Sequence, residues 1–528
     1  MSGAAGEYEF APHERPMVPG GPYLPSLRPV LRLEYGVTGV IIAMAATFPN
    51  SLITVNLPNL PGALGLEVAQ VSWLSAIFVA VMATANLTLA KARIQFGFPT
   101  VTTVVLVVNC VVGLSQLIWP GFWTSAATRA ANGLTAASLI ALAMFYMLQA
   151  FPPEHRIWGS ISAMGMAQLG APLARLVPLD VLTMNNGLGL HLIEPALCLF
   201  LLALIRLTPL PPSERSQVFE PTDFLTIGLA VPAMLLVCGV LALGRTYWWA
   251  DAPFLGWMLL GSIPLFAGVF AVESHRARPL LRLDWLTTGD MLRIAGLAIL
   301  VRVALAEQTY GSVGLLTSGG LTNDQLHTLF VLVALADVAG VIVACLTFSK
   351  ERLGLQIAVT RPPELYLSQA LIGFGTTLFV GPAMVFFFFR MMPKGPSHFI
   401  SFAVLFASTQ NVGALVGSAL LGSYEFSQAR YHAASLAERM SAADPQVAQR
   451  LQSGAGAVAS ALPDPALRGF EGAALLGQRL NAEANILAFN DVFRLVAILA
   501  LLTSLFIFYR ITWTAWRERR RPQAGAPA

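Results

Sequence analysis

Residues 326–390 read LHTLFVLVALADVAGVIVACLTFSKERLGLQIAVTRPPELYLSQALIGFGTTLFVGPAMVFFFFR, and the fold turns on how often this stretch crosses a bilayer. Two long apolar runs, Leu326–Phe348 and Tyr366–Phe389, each reach the roughly 20 residues that a helix needs to span the hydrocarbon. Between them, Glu351–Pro363 contains only the short run Leu353–Val359. At about 1.5 Å per residue, that run cannot cross a core of about 30 Å as a helix. Yet Lys350 and Arg352 follow the first long run, and Arg390 and Lys394 follow the second. Basic residues collect on the cytoplasmic side. Both runs are therefore expected to end there, with one more crossing between Lys350 and Tyr366. Either that span is absent, or a short or re-entrant segment disguises it. Tyr366–Phe389 should in either case run from outside to inside.

Outward from this stretch, the same reading finds further spans at Leu33–Val55, Val71–Leu89, Pro99–Trp119, Ala126–Ala150, Ile157–Val177 and Leu188–Leu207. Phe224–Leu243, Phe254–Val272, Met291–Leu315, Phe399–Leu421 and Val492–Trp513 follow, for about thirteen in all. Lys91 and Arg93, His155 and Arg156, Arg215, and Arg276, Arg278 and Arg282 mark the exits of the second, fourth, sixth and eighth spans. Those exits and both termini are expected to be cytoplasmic. Arg245, after the seventh span, is the one exception and does not reverse the bias.

The chain is 56% hydrophobic and 11% charged, against about 25% charged in soluble proteins. Most of its surface must therefore face lipid, and the fold class is an all-α polytopic membrane protein. The net charge of +4 sits in loops and tails and does not point to nucleic acid. Cys110, Cys198, Cys238 and Cys345 each lie inside an apolar run and read as small buried residues. No metal cluster, cofactor motif or Walker A sequence occurs, so neither an enzyme nor an ATP-driven pump is expected.

The expected division is a disordered cytoplasmic tail over 1–32, a first helix bundle over 33–210 and two linker spans with their loops over 211–288. A second bundle follows over 289–423, then an extracytoplasmic helical hairpin over 424–489, the last span over 490–513 and a basic tail over 514–528. In the hairpin, Ala433–Met440, Gln446–Leu451 and Leu475–Phe489 read as helices, with turns at Asp444-Pro445 and Pro463-Asp464-Pro465.

A charge inside a span costs several kcal/mol, roughly 2.5 to above 10, and is a functional candidate by default. Arg129, which Asn132 follows on the same span, Arg175, Glu194, Arg302 with Glu307, and Asp337 stand out on that ground. Arg175 has a bland alternative, snorkelling to the outer interface, and Glu194 beside Pro195 reads as interfacial. Glu307 and Arg302, five residues apart, project about 140° from each other on one helix and are poor mutual partners. Asp337 sits deepest, in Leu-Ala-Asp337-Val-Ala-Gly340. A carboxyl group withdrawn from water is suited to proton exchange. For Asp337 and Glu307 the alternative role is structural ion pairing. Asn50, Gln168, Gln308, Gln410 and Asn411 are polar residues within spans that could line a cavity or bond between helices.

At these residues the chain resembles the major facilitator superfamily, specifically the nominally fourteen-span drug:proton antiporters of the EmrB/QacA type, as a divergent member. Leu52-Ile-Thr-Val-Asn56-Leu-Pro58 with Gln70-Val-Ser-Trp73 is similar to the family's first span and following loop. Arg129-Ala-Ala-Asn132-Gly133 resembles its fourth-span motif, and Gly170-Ala-Pro172 its fifth-span antiporter motif, which here ends in Arg175-Leu176. Phe489-Asn-Asp491-Val-Phe493 is similar to the family's approach to the last span. The resemblance implies two six-helix bundles plus two linker spans and a helix between Lys350 and Tyr366. It implies proton-coupled export of amphipathic or aromatic compounds from the inner membrane of a Gram-negative bacterium. The hairpin before the last span implies a periplasmic adaptor protein and an outer-membrane channel as partners. Pro49 stands where the family carries an Asp linked to coupling, so a coupling carboxylate would have to be Asp337 or Glu307. That departure, with the reduced motif Lys91-Ala-Arg93-Ile-Gln-Phe-Gly97, also fits a transport-inactive scaffold or sensor. A dedicated exporter of one metabolite is a third reading.

Overall fold

A computed structural model describes residues 14, 16, 18, 20–56, 60–318, 320–347, 365–441 and 444–519. The interval Glu351–Pro363 lies outside the described residues. Among the described residues, ten helices are long and apolar enough to cross a membrane, or eleven if Val68–Thr84 and Asn86–Phe96, bent by 49°, form one span. Many apolar helices and no strand among the described residues make this an all-α, multi-pass membrane protein.

The first half contains α1 (Pro29–Val55), α2 (Val68–Phe96), α3 (Phe98–Ile118), α4 (Phe122–Ala150), α5 (Arg156–Met166), α6 (Gly170–Arg175) and α7 (Leu179–Leu207). Next come α8 (Pro221–Tyr247) and α9 (Pro253–Ser274). The second half holds α10 (Gly289–Leu305), α11 (Val313–Ser318), α12 (His327–Leu346), α13 (Leu365–Met391) and α14 (Phe399–Glu438). Finally, α15 (Pro445–Ala457) lies against α16 (Pro465–Arg519). Two expected spans are not continuous helices. Ile157–Val177 is broken by a 3-10 turn at Ala167–Leu169, and Met291–Leu315 by a π-helical turn at Gln308–Ser312. The count of uninterrupted spans therefore falls below thirteen.

The halves meet along two seams. At one, α2 packs on α14, with α8 beside both; at the other, α5 packs on α12 and α13. Small residues permit close approaches both at a seam and within a half: a methyl group on Gly381 would lie 3.0 Å from the Ile161 carbonyl of α5, and one on Gly133 of α4 2.7 Å from the Phe78 carbonyl of α2. Buried side chains such as Ile161, Phe387, Leu106 and Leu142 fill the space between helices, and all four cysteines are buried and free.

The directions of α12 and α13 bear on the question raised by residues 326–390. A methyl group on Gly373 would meet Asp337 and Val333, and one on Gly340 would meet Phe374 and Thr377. Later residues of α12 thus meet later residues of α13, so the two helices run parallel. Both oppose α5: Cys345 and Val341 pack on Trp158, Ser162 and Gly165, and Gly381 on Ile161. The chain leaves α12 at one end of the bundle and re-enters α13 at the other, the arrangement that the charge pattern calls for.

The expectation of a disordered tail over 1–32 does not hold for its described part. Leu24 is buried, Tyr23 N–H donates to the Pro212 carbonyl (3.0 Å), and the Tyr23 hydroxyl donates to Glu214 (2.7 Å). Gln149 and Arg156 donate to the carbonyls of Tyr23 and Leu24. An extended Pro-rich segment satisfies its backbone by pairing with a neighbouring loop. At the opposite end, α14 has 40 residues and α16 has 55. At 1.5 Å per residue their lengths are about 60 and 80 Å, well beyond a hydrocarbon core of about 30 Å. The α14–α15–α16 projection stands away from the end that holds the tail.

Candidate functional site

Polar and charged side chains inside the bundle form two separate groups. In the first half, Arg129 and Asn132 are three residues apart and share one face of α4. Opposite them, α7 carries Glu194 next to Pro195, and the Pro195 ring closes on Gly113 of α3, where a methyl group would lie 3.1 Å away. Arg129 donates to one Glu194 oxygen, and Asn132 Nδ2 donates to the other at 3.0 Å. Asn109 Nδ2 donates to Asn132 Oδ1 (2.7 Å) and to Cys198 Sγ (3.2 Å). Arg129 and Glu194 are 3% and 4% exposed, so Glu194 is a buried ion-pair partner and not interfacial. Two cavities of about 10 Å³ flank the pair, each with room for about one water. Arg129 Nη1, Asn109 Oδ1 and Asn50 Oδ1 are buried without a partner among the described residues.

In the second half, Glu307 stands at the start of the π-helical turn. It accepts from the Ser312 hydroxyl and from Gln369 Nε2 of α13 (3.4 and 3.5 Å). Gln369 also donates to Ser312, and Gln308 donates to the Gln369 carbonyl at 3.4 Å. The extra residue of a π turn widens the helix locally and is frequent at functional sites. One turn further along α13, Gly373 faces Asp337 so closely that a methyl group there would lie 2.7 Å from Asp337 Oδ1. Asp337 and Glu307 are 3% and 5% exposed, and neither has an ion-pair partner among the described residues. Arg302 does not pair with Glu307; its Nε donates to the main-chain carbonyl of Gln410 on α14 at 3.2 Å.

Other predicted residues act locally. Gly170 lets α6 approach α1, since a methyl group there would meet Thr47 and lie 2.9 Å from Phe48 N. Pro172 is buried in the same short helix. Arg175 is 5% exposed with its guanidinium 5.0 Å from the Phe330 ring centre, so it stacks at the seam and does not snorkel. Gln168 and Asn411 donate to carbonyls one turn back on their own segments.

Sequence reasoning missed two things. Gln369 is uncharged and lies among apolar neighbours, so nothing marked it. The second is an ionic cluster at the basic end. Asp223 joins Lys91 of α2 (2.7 Å) to Arg276 (2.7 Å), and Arg276 also holds Glu220 and Glu273 (2.8 Å each). Burial by itself would lower the pKa of Arg276, but hydrogen bonds with Glu220, Asp223 and Glu273 outweigh it and raise Arg276 above the ordinary arginine value. Glu273 also accepts from Leu281 N, and Arg282 N donates to Ser401 of α14. The cluster thus ties α8 and α9 to both halves.

No protein-family profile and no curated protein matches the sequence. Among solved structures the chain is similar to the human organic anion transporter MFSD10 (TETRAN), at 13% identity and a TM-score of 0.46, covering 76% of this chain and 94% of that one. It is similar to the nucleoside transporter NupG at 11% identity and 0.47, covering 91% and 99%. It is also similar to the major facilitator proton:xylose symporter XylE at 12% and 0.47, covering 88% and 96%. Likenesses at this level carry no functional inference.

Proposed function

We propose that the protein is a secondary transporter of major facilitator type that exports small amphipathic or aromatic compounds in exchange for protons. One observation carries this reading. Glu307 and Asp337, two buried carboxylates without a cationic partner among the described residues, meet α13 one helical turn apart, at Gln369 and Gly373. Intramembrane carboxylates facing the bundle interior mark proton and ion pathways. A group so enclosed exchanges its proton only when water reaches it, which links protonation to the opening of the interface. Alternating access then amounts to the halves rocking about their two seams.

On this reading the inner membrane of a Gram-negative bacterium houses the protein, and the long α14–α15–α16 projection meets a periplasmic adaptor that leads to an outer-membrane channel. Proteoliposomes containing the full chain, given an imposed pH gradient and a lipophilic aromatic dye, test the reading. Gradient-driven flux that is lost in Asp337→Asn or Glu307→Gln supports it. Full flux in both variants at every pH overturns the coupling assignment. Absence of flux in the wild type favours the scaffold or sensor reading, which Pro49 and the short Lys91–Gly97 motif support.

A further inference from the structure

Arg302 is the feature that proton coupling leaves unexplained. It lies on α10, in the middle of an apolar run, and points into the contact with α14. Gly413 permits this contact, since a methyl group there would lie 3.1 Å from Arg302 Cβ. Among the described residues no carboxylate stands within ion-pair distance of Arg302. Its one hydrogen bond there is from Nε to the Gln410 carbonyl. Both Nη groups are left without a protein acceptor among the described residues, although the side chain keeps partial accessibility.

The same residue, Gln410, adds a second and independent observation. It is more than nine-tenths buried, and both Nε2 and Oε1 lack any partner among the described residues. A buried amide normally satisfies both ends, because each unmet group costs free energy. Other buried guanidinium groups differ: Arg93 donates to the Ala137 carbonyl and lies over the Phe98 ring. Arg129 has Glu194, and Arg175 stacks on Phe330. Arg302 and Gln410 together leave a forked cation, one amide donor and one amide acceptor unused at a single helix contact.

We propose that Arg302 and Gln410 form a recognition point for the carboxylate of the exported compound. A planar carboxylate matches the guanidinium fork, and its second oxygen can accept from Gln410 Nε2. Gln410 Oε1 is then left to accept from a hydroxyl beside the carboxylate, so ortho-hydroxy aromatic acids fit best. The charge that is costly in the empty site is neutralised by ligand. This rests on the export reading for the purpose of the site, but binding is measured without transport, so the two fail separately.

The test uses the full chain in lipid nanodiscs and matched probes: benzoate with benzamide, salicylate with salicylamide, and 1-hydroxy-2-naphthoate with its amide. Equilibrium binding is read for wild type, Arg302→Gln, Arg302→Lys and Gln410→Ala. Each acid should bind the wild type more tightly than its amide. Arg302→Gln should weaken acid binding by at least about tenfold and leave amide binding unchanged. Arg302→Lys should restore part of the loss, and Gln410→Ala should reduce the advantage of salicylate over benzoate. Acids that bind no better than amides, or acids that bind Arg302→Gln as well as wild type, overturn the proposal. If Arg302→Gln does not fold, the Lys and Ala variants decide: unchanged acid preference in both also overturns it.

Discussion

Replacing Glu194 by Gln tests the first-half polar group most directly. The substitution keeps shape and removes charge, leaving Arg129 as an unpaired cation at 3% exposure. Arg129 Nη1 already lacks a partner among the described residues, and the cavities beside the pair have room for about one water each, so solvent cannot take over the role of the carboxylate. Breaking a buried pair from one side costs about 3–5 kcal/mol, whereas replacing both members by apolar groups of similar volume is often close to neutral. Asn132 keeps an acceptor in the Gln variant, which places the expected loss near the lower figure, about 3 kcal/mol. The assay is denaturant-induced unfolding in mixed micelles, for Glu194→Gln, Arg129→Met and the double variant Arg129→Met with Glu194→Leu. The double variant should regain most of the loss. A loss below about 1 kcal/mol in Glu194→Gln, or strictly additive losses in the double variant, would refute the claim that a dry interior makes the two groups interdependent.

Other perturbations probe other contacts. Gly340→Ala places a methyl group 2.5 Å from the Phe374 carbonyl, so α12 and α13 must separate; the expected cost is about 1–3 kcal/mol, read by the same unfolding assay, and no change would contradict the close parallel packing. Asp444→Ala removes the acceptor for Gln446 N at the start of α15 (2.8 Å) and should cost about 1 kcal/mol locally, seen as faster amide exchange over residues 445–457. Arg276→Gln should loosen α8 and α9 together, giving faster exchange at the start of α8 and the end of α9. Because the pKa of Arg276 is raised, its contribution is complete below the ordinary arginine value and fades only as pH passes above the raised, folded-state one. Raising the pH from 6 to 10 should therefore leave exchange around Arg276 unchanged, and a loss of protection in that window would contradict the assignment.

The positions of the apolar helices were legible because hydropathy is a local property, and each apolar run coincides with helical segments. Their interruptions were not. The π turn at Gln308–Ser312 contains no proline, and its one glycine, Gly311, does not predict an extra residue in the turn. Arg129 and Glu194 were each visible as intramembrane charges, but 65 residues separate them, and only packing of α4 on α7 makes them partners. Gln369 carried no signal because its importance comes from what faces it. The ionic cluster around Arg276 was hidden for a related reason: each member looked like an ordinary loop or helix-end charge until the helices converged.

The parallel course of α12 and α13 also limits the length of chain between them. Gly340 lies against Phe374 and Thr377, so Leu346 is level with a point roughly 17 residues into α13, about 25 Å from Leu365 along the axis. A fully extended chain covers about 3.3–3.6 Å per residue, so some eight residues suffice in principle. The sequence supplies about eighteen. By length alone the sequence between the two helices therefore exceeds the minimum by about ten residues. Stepwise shortening of this stretch to fewer than about eight residues should abolish expression, and survival of a shorter version would contradict the parallel course of the two helices.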